Sequence, residues 1–177
     1  IDGPENALIG LYNTLGLTQQ AEALAQEGLD PLLSKAILGI VGLAVGAREG
    51  ERTLDLCAAP GGKATMLAGE VVAVEVNDAR ARELEETARR LGATNVEVVA
   101  ADARALPSEL TGFDRALVDA PCSGLGVLNQ RPDLRWRAEP LPELQLELLR
   151  AAAERTRSGG TIVYSVCTVH AEESEAV

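Results

Sequence analysis

The apolar positions of this chain change their spacing near residue 50. From Leu8 to about Val45 they recur at helical intervals, with Leu8, Leu11, Leu15 and Leu17 followed by Ala21, Leu24 and Ala25. Gly46–Gly50 (GAREG) interrupts that pattern. After it, short β-branched runs alternate with longer stretches rich in Ala, Leu, Glu and Arg. The short runs predict strands at Thr53–Cys57, Val71–Val76, Val96–Ala100, Arg115–Asp119 and Thr161–Ser165. The longer stretches predict helices at Ala79–Leu91 and at Pro142–Arg157, where Leu144, Leu148, Ala151 and Ala152 repeat on one face. Strands alternating with helices imply a parallel sheet covered on both sides. A ligand of such a sheet sits at the carboxyl ends of its strands, near the point where the strand order reverses. The connection from Lys63 to Val71 is barely long enough for a crossover, and predicts either a helix of about two turns or a dropped loop. Glu172–Val177 reads as the start of a further helix with solvated glutamates.

Composition narrows the class. The 177 residues suit one domain with a small appendage, and 46% hydrophobic content is enough for a packed core. No apolar run approaches the roughly 18 residues of a membrane span, and Ala36–Val45 lacks the position and basic flank of a signal peptide. Three cysteines without CxxC spacing argue against both a disulfide framework and a metal site, and favour a reducing cytoplasm. The net charge of −11 argues mildly against a nucleic-acid partner. Lys35 and Lys63 are the only lysines, but Arg131, Arg135 and Arg137 cluster beside Trp136 as a local basic patch. Trp136 suits either a stacking platform for a base or a core position.

The candidate chemistry falls at the predicted strand ends. Cys57–Lys63 (CAAPGGK) follows the first strand and is expected to open a helix, whose free N–H groups and adjacent glycines would let a ligand approach the backbone. It is neither GxGxxG nor a Walker loop, and a tight turn without a ligand is the alternative. Glu75 ends the second strand, where a carboxylate can accept hydrogen bonds from ribose hydroxyls. Asp102 follows the third and could take the exocyclic amine of an adenine. Asp78 and Arg80 read as helix cap and surface charge. Asp119-Ala-Pro-Cys122 presents a carboxylate and a thiol on one loop, and Cys167 ends the fifth strand. A buried structural thiol is the plain alternative for each cysteine. His170, the single histidine, suits a surface or cap position better than an acid–base role.

One cofactor-type loop with two strand-end thiols matches the needs of methyl transfer to a pyrimidine carbon. C5 of cytosine is a poor nucleophile until a thiolate adds at C6 and makes the ring an enamine. The C5 proton must then leave and the thiol must be eliminated. That calls for an activated thiol, a carboxyl group at the N3/N4 edge and a base or release group.

The stretches LDLCAAPGGK (Leu54–Lys63), VVAVEVN (Val71–Asn77), FDRALVDAPCSGLG (Phe113–Gly126), RPDLRW (Arg131–Trp136), LQLELL (Leu144–Leu149) and SGGTIVYSVCT (Ser158–Thr168) together resemble the Nop/Sun/Fmu family of RNA cytosine-C5 methyltransferases. The resemblance implies an α/β, class I Rossmann-like methyltransferase fold over 49–177, short of the family's closing β-hairpin, preceded by a helical segment at 1–48. It implies S-adenosyl-L-methionine as cofactor and RNA as partner, rRNA before tRNA, with no metal or membrane. Carried over, Cys167 is the nucleophile and Cys122 assists release. Cys57, Ala58, Ala59, Pro60, Gly61, Gly62, Lys63, Glu75, Asp102 and Asp119 line the cofactor site, with Asp119 and Lys63 also beside the cytosine. Val166 and Thr168 flank Cys167 where the family usually has Thr and Ser, and Glu75 stands for a more usual Asp. The rival expectations are a non-catalytic scaffold of the same fold, for RNA binding or ribosome assembly, and a methyltransferase for protein or small molecules.

Overall fold

The computed structural model of the protein describes residues 40–128, 131–174 and 177. Five strands form one sheet: β1 (Arg52–Asp55), β2 (Glu70–Glu75), β3 (Val96–Ala100), β4 (Phe113–Asp119) and β5 (Thr156–Ser165). Their order is β3-β2-β1-β4-β5, and every neighbouring pair is parallel. This is the Rossmann-like α/β arrangement that the alternating pattern predicts. The helices among the described residues include α1 (Asp78–Leu91), α2 (Leu134–Arg137) and α3 (Pro142–Arg155).

The sheet has a core on each face because successive strand residues point opposite ways. Val72, Val74, Ala116 and Val118 pack with Leu148, Ala151 and Ala152 of α3. Val71, Ala73 and Leu117 pack on the other face with Leu84 of α1 and with Val41 and Val45. Strands buried on both sides explain the unbroken apolar runs of β2 and β4. In α1 the buried residues are Ala81, Leu84 and Ala88, a single stripe at helical spacing. Most of the helical pattern expected over 1–48 lies outside the described residues. Residues 41–45 are helical.

Several local expectations are corrected. The two-turn helix after Lys63 is a single 3-10 turn, Ala64–Met66, with Leu67 already extended. The chain then turns at Gly69 (φ 73°), where a Cβ would lie 2.3 Å from the Glu51 carbonyl oxygen. A side chain has no room there, so the short crossover depends on glycine. Asn77, not Asp78, caps α1: its Oδ1 accepts from the N–H of Ala79 and Arg80. The helix expected to reach Arg157 ends at Arg155, and β5 begins at Thr156. The register of β5 on β4 slips between Phe113↔Thr156 and Arg115↔Thr161. Ser158-Gly159-Gly160 forms that irregularity, with Gly159 at φ 78°.

The strand ends bring Asp55, Glu75, Ala100, Asp119 and Ser165 to one edge of the sheet. Register pairs Glu75 with Ala100, Asp55 with Leu117 and Asp119 with Ser165. The order reverses between β1 and β4, which are separated by no other strand.

Candidate active site

A cavity of about 420 Å³ opens at this edge, and Cys57, Ala59, Glu75, Asp102, Asp119, Cys122 and Cys167 all line it. Leu56, Val76, Ala103, Leu144 and Leu148 supply apolar wall. A largely apolar hollow with a few polar groups is the usual form of a cofactor pocket.

The loop after β1 is fixed by backbone bonds. Ala58 N–H donates to the Val74 carbonyl at 2.9 Å and Gly61 N–H to the Ala58 carbonyl at 2.8 Å. The loop runs into a 3-10 turn, so the helix N-terminus expected there is not formed. Gly61 (φ 103°) has another use: a Cβ would lie 2.6 Å from Leu84 Cδ1, so its bareness lets α1 pack on the loop. Within this loop, Cys57 and Ala59 face the cavity. Burial, then the carboxylates of Asp55, Asp119 and Glu75, push the Cys57 thiol up to about 12, which keeps it protonated.

Glu75 is 4% exposed. Its Oε1 accepts from Asn77 N–H at 2.9 Å, and its Oε2 lies 3.4 Å from Arg80 Nη1. Arg80 also donates to the Ala59 carbonyl at 2.9 Å, joining the loop to the β2 end. It is therefore more than the surface charge the sequence suggested. Asp102 is held by Arg104, with 2.7 Å between Nη2 and Oδ2, and Arg104 reaches on to Glu147 of α3 at 2.7 Å. The Arg104 side chain holds the Asp102 carboxyl down at about 2.

Asp55, at the β1 end, is 1% exposed. Its Oδ1 accepts from Cys57 N–H at 3.3 Å, while Oδ2 has no partner. Burial pushes its carboxyl up to about 7, against the pull of the Cys57 N–H. At the β4 end, Asp119 Oδ2 pairs with Lys63 Nζ at 2.6 Å and Oδ1 accepts from Ser165 Oγ at 2.5 Å.

The two thiols meet beyond this carboxylate. Cys122 lies on the loop after β4 and Cys167 just after β5, the neighbouring strand. Ala120 N–H donates to the Ser165 carbonyl at 3.0 Å and Gly126 N–H to the Cys167 carbonyl at 3.1 Å, so the two loops stay paired past the sheet. The sulfurs are 3.4 Å apart. The S–H of Cys167 stabilises a thiolate on Cys122 and draws it down to about 6, against burial. The same contact pushes Cys167 up, so the resting pair shares one proton.

Some expected members lie elsewhere and others were missed. Trp136 is 78% exposed, which removes the core reading, and Arg131 and Arg137 share Asp133 as ion partner. His170 precedes the 3-10 turn Ala171–Glu173 without a side-chain cap bond. Glu173, expected to be solvated, is fully buried. It accepts from Ser123 N–H, Leu141 N–H and Gln145 Nε2, each at 3.0 Å. Burial opposes its charge, but these donors outweigh it and hold the carboxyl below its usual range. Arg80 could have been found from its place in the first turn after the Asn77 cap. Glu173 carries no local signal, because its donors come from distant segments.

Residues 43–177 match the family model for 16S rRNA methyltransferase RsmB/F. The chain belongs to that family. It is 42% identical over 140 residues to the ribosomal RNA small subunit methyltransferase B of Shigella sonnei, covering 72% of this chain and 32% of that protein. It is 40% identical over 172 residues to a Mycobacterium tuberculosis protein whose name describes a methyltransferase, covering 90% and 36%. The solved structure of NSun6 from Pyrococcus horikoshii with SFG superposes with a TM-score of 0.71 at 36% identity, covering 78% of this chain and 38% of that one. The RsmB/F chain described here thus spans about a third of the length of these relatives. Among the described residues, no helix is long and apolar enough to cross a membrane, and no His/Cys/Asp/Glu group is arranged to hold a metal.

Proposed function

We propose that this chain carries the catalytic domain of an S-adenosylmethionine-dependent RNA cytosine-C5 methyltransferase, acting on small-subunit ribosomal RNA through a covalent cysteine adduct. The observation that carries the reading is the 3.4 Å contact of Cys122 and Cys167 on the wall of a cavity shared with Glu75, Asp102 and Asp119. The family match and the neighbour bound to SFG, an analogue of S-adenosylmethionine, support the cofactor. The donor set fits it. Glu75 suits ribose hydroxyls, Asp102 an adenine amine once Arg104 shares its carboxylate, and the apolar wall a purine face. When bound, the cofactor supplies an electrophilic methyl group.

In this reading the shared proton moves onto Cys122, the Cys167 thiolate adds to C6 of the cytosine, and the proton passes on from Cys122 to the N3 edge of the ring beside Asp119 and Lys63. C5, now an enamine carbon, takes the methyl group. The Cys122 thiolate removes the C5 proton as the Cys167–C6 bond breaks and the ring loses its N3 proton to solvent. The pair ends with one shared proton, as it began, and one proton is released per methyl group transferred. Cys57, kept neutral, takes no part. With a net charge of −11 on the chain, RNA affinity rests on local groups such as Arg135 rather than on the overall field. Reactive free thiols favour a reducing compartment, hence the cytoplasm.

The test is incubation of the Cys122→Ala protein with small-subunit rRNA and labelled S-adenosylmethionine, followed by a denaturing gel. The expected result is an RNA adduct that survives denaturation and maps to Cys167. The absence of an adduct, with cofactor binding retained, would replace this reading with that of a non-catalytic scaffold.

A further inference from the structure

We infer that Glu173 is a positioning residue, whose buried carboxylate holds the Cys122 loop in place and so sets the separation of the two thiols. Its catalytic consequence rests on the thiol chemistry proposed above; its geometric content does not.

The carboxylate binds the backbone immediately beside the thiol. Ser123 N–H, the peptide group following Cys122, donates to both oxygens, at 3.0 Å to Oε1 and 3.2 Å to Oε2. On the other side, the Pro121 carbonyl accepts from Gln145 Nε2 at 2.9 Å, and that same Nε2 donates to Glu173 Oε1 at 3.0 Å. Cys122 is therefore bracketed by one Gln145–Glu173 unit, both members of which are 0% exposed. Gln145 Oε1 has no partner, so its amide is oriented wholly by these two acceptors.

The unit is tied to the second thiol as well. Glu173 follows Cys167 on the same segment, and its own carbonyl accepts from Tyr164 Oη of β5 at 2.8 Å. Ser123 Oγ and Thr168 Oγ1, the residues after the two cysteines, are 2.7 Å apart. Leu141 N–H, at the start of α3, supplies the last donor at 3.0 Å. Three segments thus converge on one carboxylate: the β4 loop, the α3 start and the β5 extension. A charged acceptor with several N–H donors is roughly twice as strong as a neutral one, and its removal leaves those donors buried and unpaired. Among the described residues, Glu173 is the side chain that bonds to the backbone on both the Cys122 and α3 sides. A shift of about 1 Å in a reacting group can cost on the order of 100-fold in rate.

The experiment compares Glu173→Ala, Glu173→Asp and Glu173→Gln in the full protein. Two readouts are used beside methyl transfer. One is cofactor affinity by calorimetry. The other is affinity for phenylarsine oxide, which condenses with two adjacent thiols, forming two As–S bonds with loss of one water. Glu173→Ala and Glu173→Asp should lower kcat by about 100-fold and about tenfold, and lower arsenical affinity at least about tenfold, with cofactor affinity within about threefold. Glu173→Gln keeps an acceptor at Oε1 and should recover most of both. Unchanged arsenical affinity in Glu173→Asp would overturn the inference, as would loss of cofactor affinity in step with kcat. Should Glu173→Ala not fold, the Asp and Gln pair carries the test. If the Cys122→Ala protein traps no RNA adduct but the arsenical series behaves as expected, the methyltransferase reading fails and the positioning role stands.

Discussion

Lys63 Nζ stands 2.6 Å from Asp119 Oδ2, so the loop after β1 is bolted to the end of β4 across the cavity edge. Ser165 Oγ occupies the other oxygen, at 2.5 Å, and fixes the carboxylate's plane. Lys63→Ala should lower methyl transfer by about 100-fold, or ~2.7 kcal/mol of barrier, because Asp119 loses its counter-charge beside the substrate edge. Stability should fall by only about 1 kcal/mol, since both side chains are partly solvated. Single-turnover kinetics and thermal melts would separate the two effects. A rate loss matched by an equal loss of cofactor affinity would move Lys63 to the cofactor alone.

The thiol pair makes a pH-dependent prediction. The Cys167 S–H lowers Cys122 to about 6, so the Cys122 thiolate forms as pH rises through about 6 and predominates at neutrality. Cys167→Ala removes that donor and leaves burial unopposed by it. The midpoint should then rise to the ordinary thiol range of about 8.5 or above. Thiolate absorbance, or the pH profile of iodoacetamide alkylation, would show the shift. An unmoved midpoint would mean that other groups acidify Cys122.

Asp55 predicts the opposite slope in stability. Burial pushes its folded carboxyl up to about 7, above the ordinary aspartate value of 3.8, so the folded state binds the proton more tightly than the unfolded one. The stabilisation from that proton is full below pH 3.8 and is lost as pH rises to about 7. Asp55→Asn mimics the neutral form and keeps an acceptor for Cys57 N–H. The variant should match the wild type in chemical denaturation at acidic pH and exceed it at pH above 7, without cofactor. Equal stabilities across the range would show that Asp55 ionises freely.

Much of the sheet was legible because its signals are local. RALVD reads as a strand wherever it lies, and burial on both faces leaves the middles of β2 (Val71–Val74) and β4 (Ala116–Val118) wholly apolar. The strand-end rule then assembled Glu75, Asp102, Asp119 and the thiols on one edge. The crossover after Lys63 was harder to read, because its length suggested a helix while Pro60, Gly61, Gly62 and Gly69 favour turns. Glu173 was misread for a different reason. It sits among Glu172, Ser174 and Glu175, a run that local composition assigns to solvent. Its burial is made by N–H groups from Ser123 and Leu141, 50 and 32 residues away, which no window around it contains.

The reach of Glu173 back to Ser123 also sets a timetable. On the ribosome, β1 to β4 and the segments just after them, which bear Cys57, Glu75, Asp102 and Asp119, emerge before β5, and these four strands can pair among themselves as they appear. Cys122 would then wait, its loop unanchored, until the fifth strand and the turn after it have been translated. The cofactor-facing edge can thus take shape in the nascent chain well before the second sulfur and its strut arrive. Reactivity thus arrives after the first four strands, and a chain terminated before β5 would carry Glu75, Asp102 and Asp119 without a competent thiol pair.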